Sequence, residues 1–159
     1  MHLSEPVTTL TDYLLGAASL YFAIALVRMA SPKGLAVRLW SIGFFVTAVA
    51  AFVGGTFHAL TLQASDALLN ALWNVTIYSI GASGAFMVSG VLVSSIHQNH
   101  KSKPWLLGGA GVTLAGFLIQ QSGIPLHNDI FHFTQIAALY LFFNGARLLE
   151  DRVRPGSLS

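Results

Sequence analysis

Three of the six histidines, His58, His127 and His132, are the side chains of this sequence with the clearest potential for chemistry. Imidazole and carboxylate groups are good ligands of zinc, iron and copper. We therefore predict a metal site in which His58 and His132 are ligands and either His127 or Asp129 completes the set. His127 and His132 are about 140° apart on a helix, so both bind one ion only if His127 lies in a non-helical cap. A metal with an open fourth position makes a bound water acidic enough to attack a carbonyl group.

Other polar residues fall at the membrane depth predicted for these histidines. At about 100° per residue, each of three helices carries a polar stripe along one face. The stripes are Asp12, Gly16 and Ser19; Asn70 and Asn74; and Asn128, His132 and Gln135. Three such stripes at one depth predict a cavity lined by polar side chains.

Two further interpretations of the same cluster stay open. A hydrogen-bonded polar plug, which holds the helices in register, uses these residues without any metal. A haem needs axial ligands on facing helices, and His58 and His132 are candidates for that role. The sequence offers no HExxH-like pattern that would decide between them.

The composition identifies the kind of protein that must position these residues. Of 159 residues, 54% are hydrophobic and only 9% are charged, against roughly 25% charged in an average soluble domain. So few charged side chains exclude an ordinary water-soluble globule, a disordered chain and a nucleic-acid-binding protein. The absence of cysteine excludes disulfides, zinc fingers, iron–sulfur clusters and thiol catalysis. We expect a single integral membrane domain over residues 1–159.

Five apolar stretches are long enough, or nearly long enough, to cross a hydrocarbon core of about 30 Å as helices. They cover residues 11–27, 39–62, 67–96, 105–119 and 130–149. Five spans place every Lys and Arg on one side of the membrane, which the positive-inside rule makes cytoplasmic. The sequence therefore predicts an all-α, five-helix transmembrane bundle in the cell membrane (plasma or inner), with the N-terminus outside and the C-terminus inside. His58, His127 and His132 then all lie in the outer leaflet.

Around His58 and His132 the chain resembles the CREST superfamily, the intramembrane metal hydrolases and receptors that include alkaline ceramidases and progestin/adiponectin-type receptors. That family has Ser-x-x-x-His near the end of its second span, an Asp in the third, and His-x-x-x-His at the start of its last span. Here the segments Gly54-Gly55-Thr56-Phe57-His58 and Asn128-Asp129-Ile130-Phe131-His132 are similar to the first and last elements. The resemblance implies a zinc-bound water that hydrolyses a lipid amide or a related bond.

For such a hydrolase we expect His58 and His132 to bind zinc, with Asp129 as a ligand or a base. Thr56, Asn70 and Asn74 are then expected to orient water or substrate. The partner is membrane lipid. The alternative is a non-enzymatic accessory subunit whose apolar faces dock onto a larger membrane complex or onto another copy of the chain, and a haem-binding protein is a lesser alternative.

Overall fold

Five α-helices make up most of the chain. The computed structural model describes residues 5–96, 100–122 and 126–151, and the side chains of residues 30–33 fall outside that description. The helices are α1 (Pro6–Lys33), α2 (Leu35–Leu60), α3 (Asp66–Val93), α4 (Lys103–Gln121) and α5 (His127–Ala146). The predicted all-α class and the predicted number of helices are confirmed.

The first helix is longer than its apolar stretch. It begins at Pro6, five residues before the predicted span, because proline in the first turn loses no helical hydrogen bond. It continues to Lys33, and Gly34, with a φ of 82°, separates it from α2. A side chain at Gly34 would also overlap the carboxylate of Asp151, so both backbone conformation and space require glycine here.

Three helices are long and apolar enough to cross a membrane, judged by length and composition. These are α1 over Pro6–Met29, α2 and α3. The remaining two, α4 and α5, are shorter, with 19 and 20 residues. Their assignment as the fourth and fifth spans stays a prediction.

The helices form an open arc. Packing neighbours follow the order α3, α2, α1, α5, α4, and within the described ranges α3 and α4 make no contact with each other. The apolar core lies where α1, α2 and α5 meet, and it includes the fully buried Leu26 and Phe44. There Phe22 stacks on Phe143, with ring centroids 5.0 Å apart. The side of α3 that faces away from α2 has no protein partner among the described residues.

One end of the bundle gathers the start of α2, the end of α3 and the C-terminal segment. The Asp151 carboxylate accepts hydrogen bonds from the backbone N–H groups of Leu35 and Ala36, at 2.7 and 2.8 Å. The backbone N–H of Ser95 donates to the Glu150 carbonyl oxygen at 2.8 Å. This is the end at which the chain carries its cations, although Arg152 and Arg154 lie outside the described residues.

The start of α1, the end of α2 and the start of α5 meet at the opposite end. The Thr8 hydroxyl of α1 donates to Asp129 of α5 at 3.2 Å, and His58 near the end of α2 lies 2.9 Å from Glu5. Four of the six acidic residues of the sequence, and no described Lys or Arg, belong to this end: Glu5, Asp12, Asp66 and Asp129.

Candidate functional site

The centre of the site is a carboxylate between two imidazole rings. Nε2 of His132 lies 3.2 Å from Oδ1 of Asp12, and Nε2 of His58 lies 4.0 Å from Oδ2 of the same carboxylate. The three side chains come from α5, α1 and α2, so the arrangement depends on the packing of three helices. Asp12 is 6% exposed and His132 is 8% exposed. A carboxylate removed from water to this degree needs compensating partners.

Each imidazole is held at its other nitrogen. Nδ1 of His58 lies 2.9 Å from a carboxylate oxygen of Glu5, and Nδ1 of His132 lies 2.9 Å from the hydroxyl of Thr11. The Glu5–His58 contact is an ion-pair distance, whereas the Thr11–His132 contact has hydrogen-bond geometry. In both rings Nε2 is the nitrogen that faces Asp12.

Asp129 is connected to this centre through the hydroxyls of α1. It accepts hydrogen bonds from Thr8 at 3.2 Å and from Thr11 at 3.4 Å, and it is 8% exposed. Thr8 and Thr11 are three residues apart and therefore share one face of α1, next to Asp12. The Thr11 hydroxyl therefore lies between His132 and Asp129, the residue predicted as a ligand or a base.

A cavity of about 280 Å³ opens beside the Asp12 carboxylate. Residues of all five helices line it: Asp12, Leu15, Thr47, Ala50, Ala51, Gly54, His58, Trp73, Thr76, Ile80, Gln120, Asn128, Phe131 and His132. Oδ2 of Asp12 has no hydrogen-bond partner within the described part of the chain. A buried oxygen in this state is unusual, and it marks a place for a proton, a water or a cation.

The other predicted site residues lie around this centre but do not line the cavity. His127 and Asp129 line a second, more open cavity of about 310 Å³, together with Glu5 and Thr8. Asn70 and Asn74 are exposed on α3. The face of α3 that reaches the cavity carries Trp73, Thr76 and Ile80, at spacings of three and seven residues.

Thr56, predicted to orient water or substrate, is bonded elsewhere. Its hydroxyl donates to the Phe52 carbonyl oxygen of the preceding turn at 2.8 Å and lies 3.2 Å from the Tyr13 hydroxyl. Gly54, rather than Thr56, is the residue of this segment that lines the cavity. A Cβ at Gly54 would lie 3.8 Å from Oδ2 of Asp12.

In their present positions, no three His, Cys, Asp or Glu side chains of the described residues are close enough together to hold a metal ion. The His132–Asp12 pair is in contact, and the His58–Asp12 distance is the longer of the two.

Sequence comparison places the chain in a family. Residues 7–121 and 86–151 match DUF6962, a family of unknown function. The chain belongs to this family. No curated protein and no solved structure matches the chain.

Three residues of the centre were not assigned a role from the sequence: Asp12, Glu5 and Thr11. The sequence pattern places Asp12 in a polar stripe and gives it no role as a ligand. One signal does distinguish it, because Asp12 is the only acidic residue inside the five predicted spans. Glu5 and Thr11 carried no such signal, since their importance depends on how α1 is rotated against α2 and α5.

Proposed function

We propose that this chain is a five-span integral membrane protein in which His58, Asp12 and His132 bind a divalent metal ion, zinc by preference, and hydrolyse an amide or ester bond of a membrane lipid. One observation carries the proposal: two imidazole Nε2 atoms from different helices face the two oxygens of one buried carboxylate. Asp12 takes the place that the sequence assigned to His127 or Asp129.

One of the two distances matches that between neighbouring ligands of a metal ion, and the other requires a movement of His58. Two donors on a tetrahedral zinc ion, each about 2.0–2.1 Å from it, lie about 3.3 Å apart. The 3.2 Å between His132 and Asp12 already matches this separation, while the 4.0 Å between His58 and Asp12 requires a small approach of the His58 ring. Metal-binding histidines commonly have the second ring nitrogen bonded to a carboxylate or another oxygen. Thr11 bonds to this nitrogen of His132, and a carboxylate oxygen of Glu5 lies 2.9 Å from this nitrogen of His58.

The geometry favours this site over the two other interpretations of the cluster. A haem between the two imidazoles needs space for the porphyrin where Asp12 lies. A polar plug is expected to satisfy its own hydrogen bonds, whereas Oδ2 of Asp12 is buried without a partner among the described residues. An oxygen in this position is suited to receive a cation.

The chemistry requires a metal, a water and an oriented carbonyl. A metal held by His58, Asp12 and His132 would supply a water of lowered pKa next to the carbonyl group of the lipid. Hydrolysis would form a bond between the oxygen of this water and the carbonyl carbon and break the C–N or C–O bond, and a proton of the water would pass to the leaving amine or alcohol. Glu5 and Thr11 hold the imidazoles, and the amides of Gln120 and Asn128, which line the cavity, can bind the polar group next to the reacting bond.

The membrane arrangement follows from the distribution of charge. The end of the bundle with Arg38, Lys103 and Arg147 faces the cytoplasm in this proposal, as the positive-inside rule requires. The site is then at the outer leaflet of the cell membrane, and the chain begins outside.

Metal analysis of the full chain, purified in detergent, tests the proposal. We expect about one zinc ion per chain, and we expect Asp12→Asn and the double variant His58→Ala/His132→Ala to lose it. The matched controls are Asp66→Asn and His100→Ala, which change exposed residues away from the cavity, and both should retain the metal. His127→Ala should also retain it, which distinguishes Asp12 from His127 as the third ligand.

Two results would contradict the proposal. One is wild-type protein that binds no metal after incubation with zinc. The other is metal content that is unchanged in the double histidine variant. Stable co-purification of another membrane protein with a metal-free chain would instead support the accessory-subunit alternative.

A further inference from the structure

The cavity beside Asp12 has a polar end and an apolar end. Asp12, His58 and His132 lie at the polar end. Away from it, the lining side chains become small or apolar, and they are Leu15, Ala50, Ala51 and Ile80. From His58 to Thr47 the cavity follows α2 over 11 residues, a length of about 16 Å at the rise of an α-helix.

Close packing of α2 against α3 forms the floor. The hydroxyls of Thr47 and Ser83 lie 2.6 Å apart, and Ser83 donates to the Gly43 carbonyl oxygen at 2.9 Å. A Cβ added at Gly43 would lie 2.7 Å from Met87, so the two helices leave no space below this point. A ligand that lies along α2 therefore ends at Thr47.

The open side of the arc lies between α3 and α4. These helices do not touch within the described ranges, yet Ile80 of α3 and Gln120 of α4 both line the cavity. Ile77 and Ile80 are 46% and 54% exposed, so the α3 edge of the gap is apolar. Since α3 is one of the three helices suited to cross a membrane, the gap faces lipid rather than water in the proposed arrangement.

We propose that one acyl chain of a bilayer lipid enters sideways between α3 and α4 and lies along α2 from His58 to Thr47, with the polar linkage of the lipid at Asp12. An amphipathic cavity open to the bilayer matches a ligand with one polar and one apolar end. The Thr47–Ser83 contact limits how much of the chain fits. The position of the reacting bond at Asp12 rests on the proposed function. The ligand class, a lipid with an acyl chain, follows from the shape and lining of the cavity and does not depend on a bound metal.

Photo-labelling of the full chain in lipid nanodiscs tests this binding mode. The probes are butyl and octyl glycerol ethers, which cannot be hydrolysed, each with a diazirine at the chain end. Gly54, which lies beside Asp12, is about 10 Å from Thr47 along α2, and this is about the length of an octyl chain. We expect the octyl probe to label residues near Thr47 and Ser83, and the butyl probe to label residues nearer Ala51. Ala50→Phe places a ring across the lower half of the cavity, because Ala50 is buried and lies about 12 Å below His58.

The expected result is a decrease of about tenfold in octyl labelling near Thr47 in Ala50→Phe, with butyl labelling unchanged. Ala82→Phe, the same substitution at an exposed position of α3 outside the cavity lining, should label as the wild type does. Ile80→Trp enters the same space from α3 and replaces Ala50→Phe if that variant does not fold. Equal octyl labelling in all variants, or labelling spread over all lipid-facing surfaces, would overturn the inference.

Metal content measured on the same samples separates the two proposals. Site-specific labelling in a chain without metal supports the acyl-chain site and contradicts the metal site. Metal-loaded protein without labelling near Thr47 contradicts the acyl-chain site alone.

Discussion

At the scale of single residues, the site depends on one carboxylate and on the groups that turn two imidazoles toward it. Asp12 lies 3.2 Å from His132 and 4.0 Å from His58. Thr11 is next to Asp12 in sequence and contacts His132 at Nδ1. Thr11 and Asp12, which are adjacent in α1, therefore contact the two nitrogens of the His132 ring. A rotation of α1 would disrupt both contacts together.

Replacement of Thr11 by valine tests this arrangement. Thr11→Val keeps the shape but removes the hydroxyl that contacts His132 and Asp129. We expect zinc affinity to fall about 10- to 100-fold, as for other residues that orient a metal ligand. Competition with a chelator of known affinity measures the change.

Thr61→Val is the matched control, because Thr61 is exposed and its hydroxyl donates to the Phe57 carbonyl oxygen of the preceding turn. Unchanged zinc affinity in Thr11→Val, with the same affinity in the control, would show that Thr11 does not orient His132.

At the scale of helices, glycines let α1 approach α2 closely enough to carry Asp12 to His58. A Cβ at Gly55 would lie 3.0 Å from Cβ of Asp12 and 2.9 Å from the Tyr13 ring. At Gly16, a Cβ would lie 2.8 Å from the Phe52 ring. Small residues at such crossings are the usual means of close helix packing in lipid. The position of the carboxylate is thus a consequence of the α1–α2 interface.

Gly55→Ala should therefore destabilise the protein by about 1–3 kcal/mol, because the added methyl group overpacks the interface. The same substitution at Gly81, where a Cβ meets nothing within 4 Å, should leave stability unchanged or slightly raised. Thermal unfolding of both variants in the same detergent measures the difference. A Tm for Gly55→Ala at or above that for Gly81→Ala would contradict the close approach.

At the scale of the whole molecule, the bundle separates its charges. The end with Glu5, Asp12 and Asp129 contains the site. The other end contains the cations and the hydrogen bonds between Asp151 and the start of α2. The gap between α3 and α4 leaves the cavity open on one side. In the proposed membrane arrangement, these features give a polar site at one membrane surface with access from the bilayer.

Reporter fusions test the membrane arrangement. Because Glu5 and Asp151 lie at opposite ends of the bundle, a periplasmic or extracellular reporter should be active at the N-terminus and a cytoplasmic reporter at the C-terminus. Fusions after Leu62 and after Lys101 serve as internal controls for the outer and inner loops. Activity of one reporter type at both chain ends would contradict the five-span arrangement.

The sequence by itself determined the all-α class, the five helices and the meeting of His58 with His132 at one end. Hydropathy and helix breaks are local properties, and the two helices between His58 and His132, α3 and α4, return the chain to the same end of the bundle. Which neighbours these histidines face was decided only by tertiary structure. Asp12 and Asp129 are both acidic residues at the correct depth, and the rotation of each helix about its own axis brings Asp12 to the imidazoles and turns Asp129 toward Thr8. That rotation is set by close contacts between helices, such as that of Gly55 with Asp12. The hydrophobic periodicity of one helix does not predict which residues of another helix it contacts.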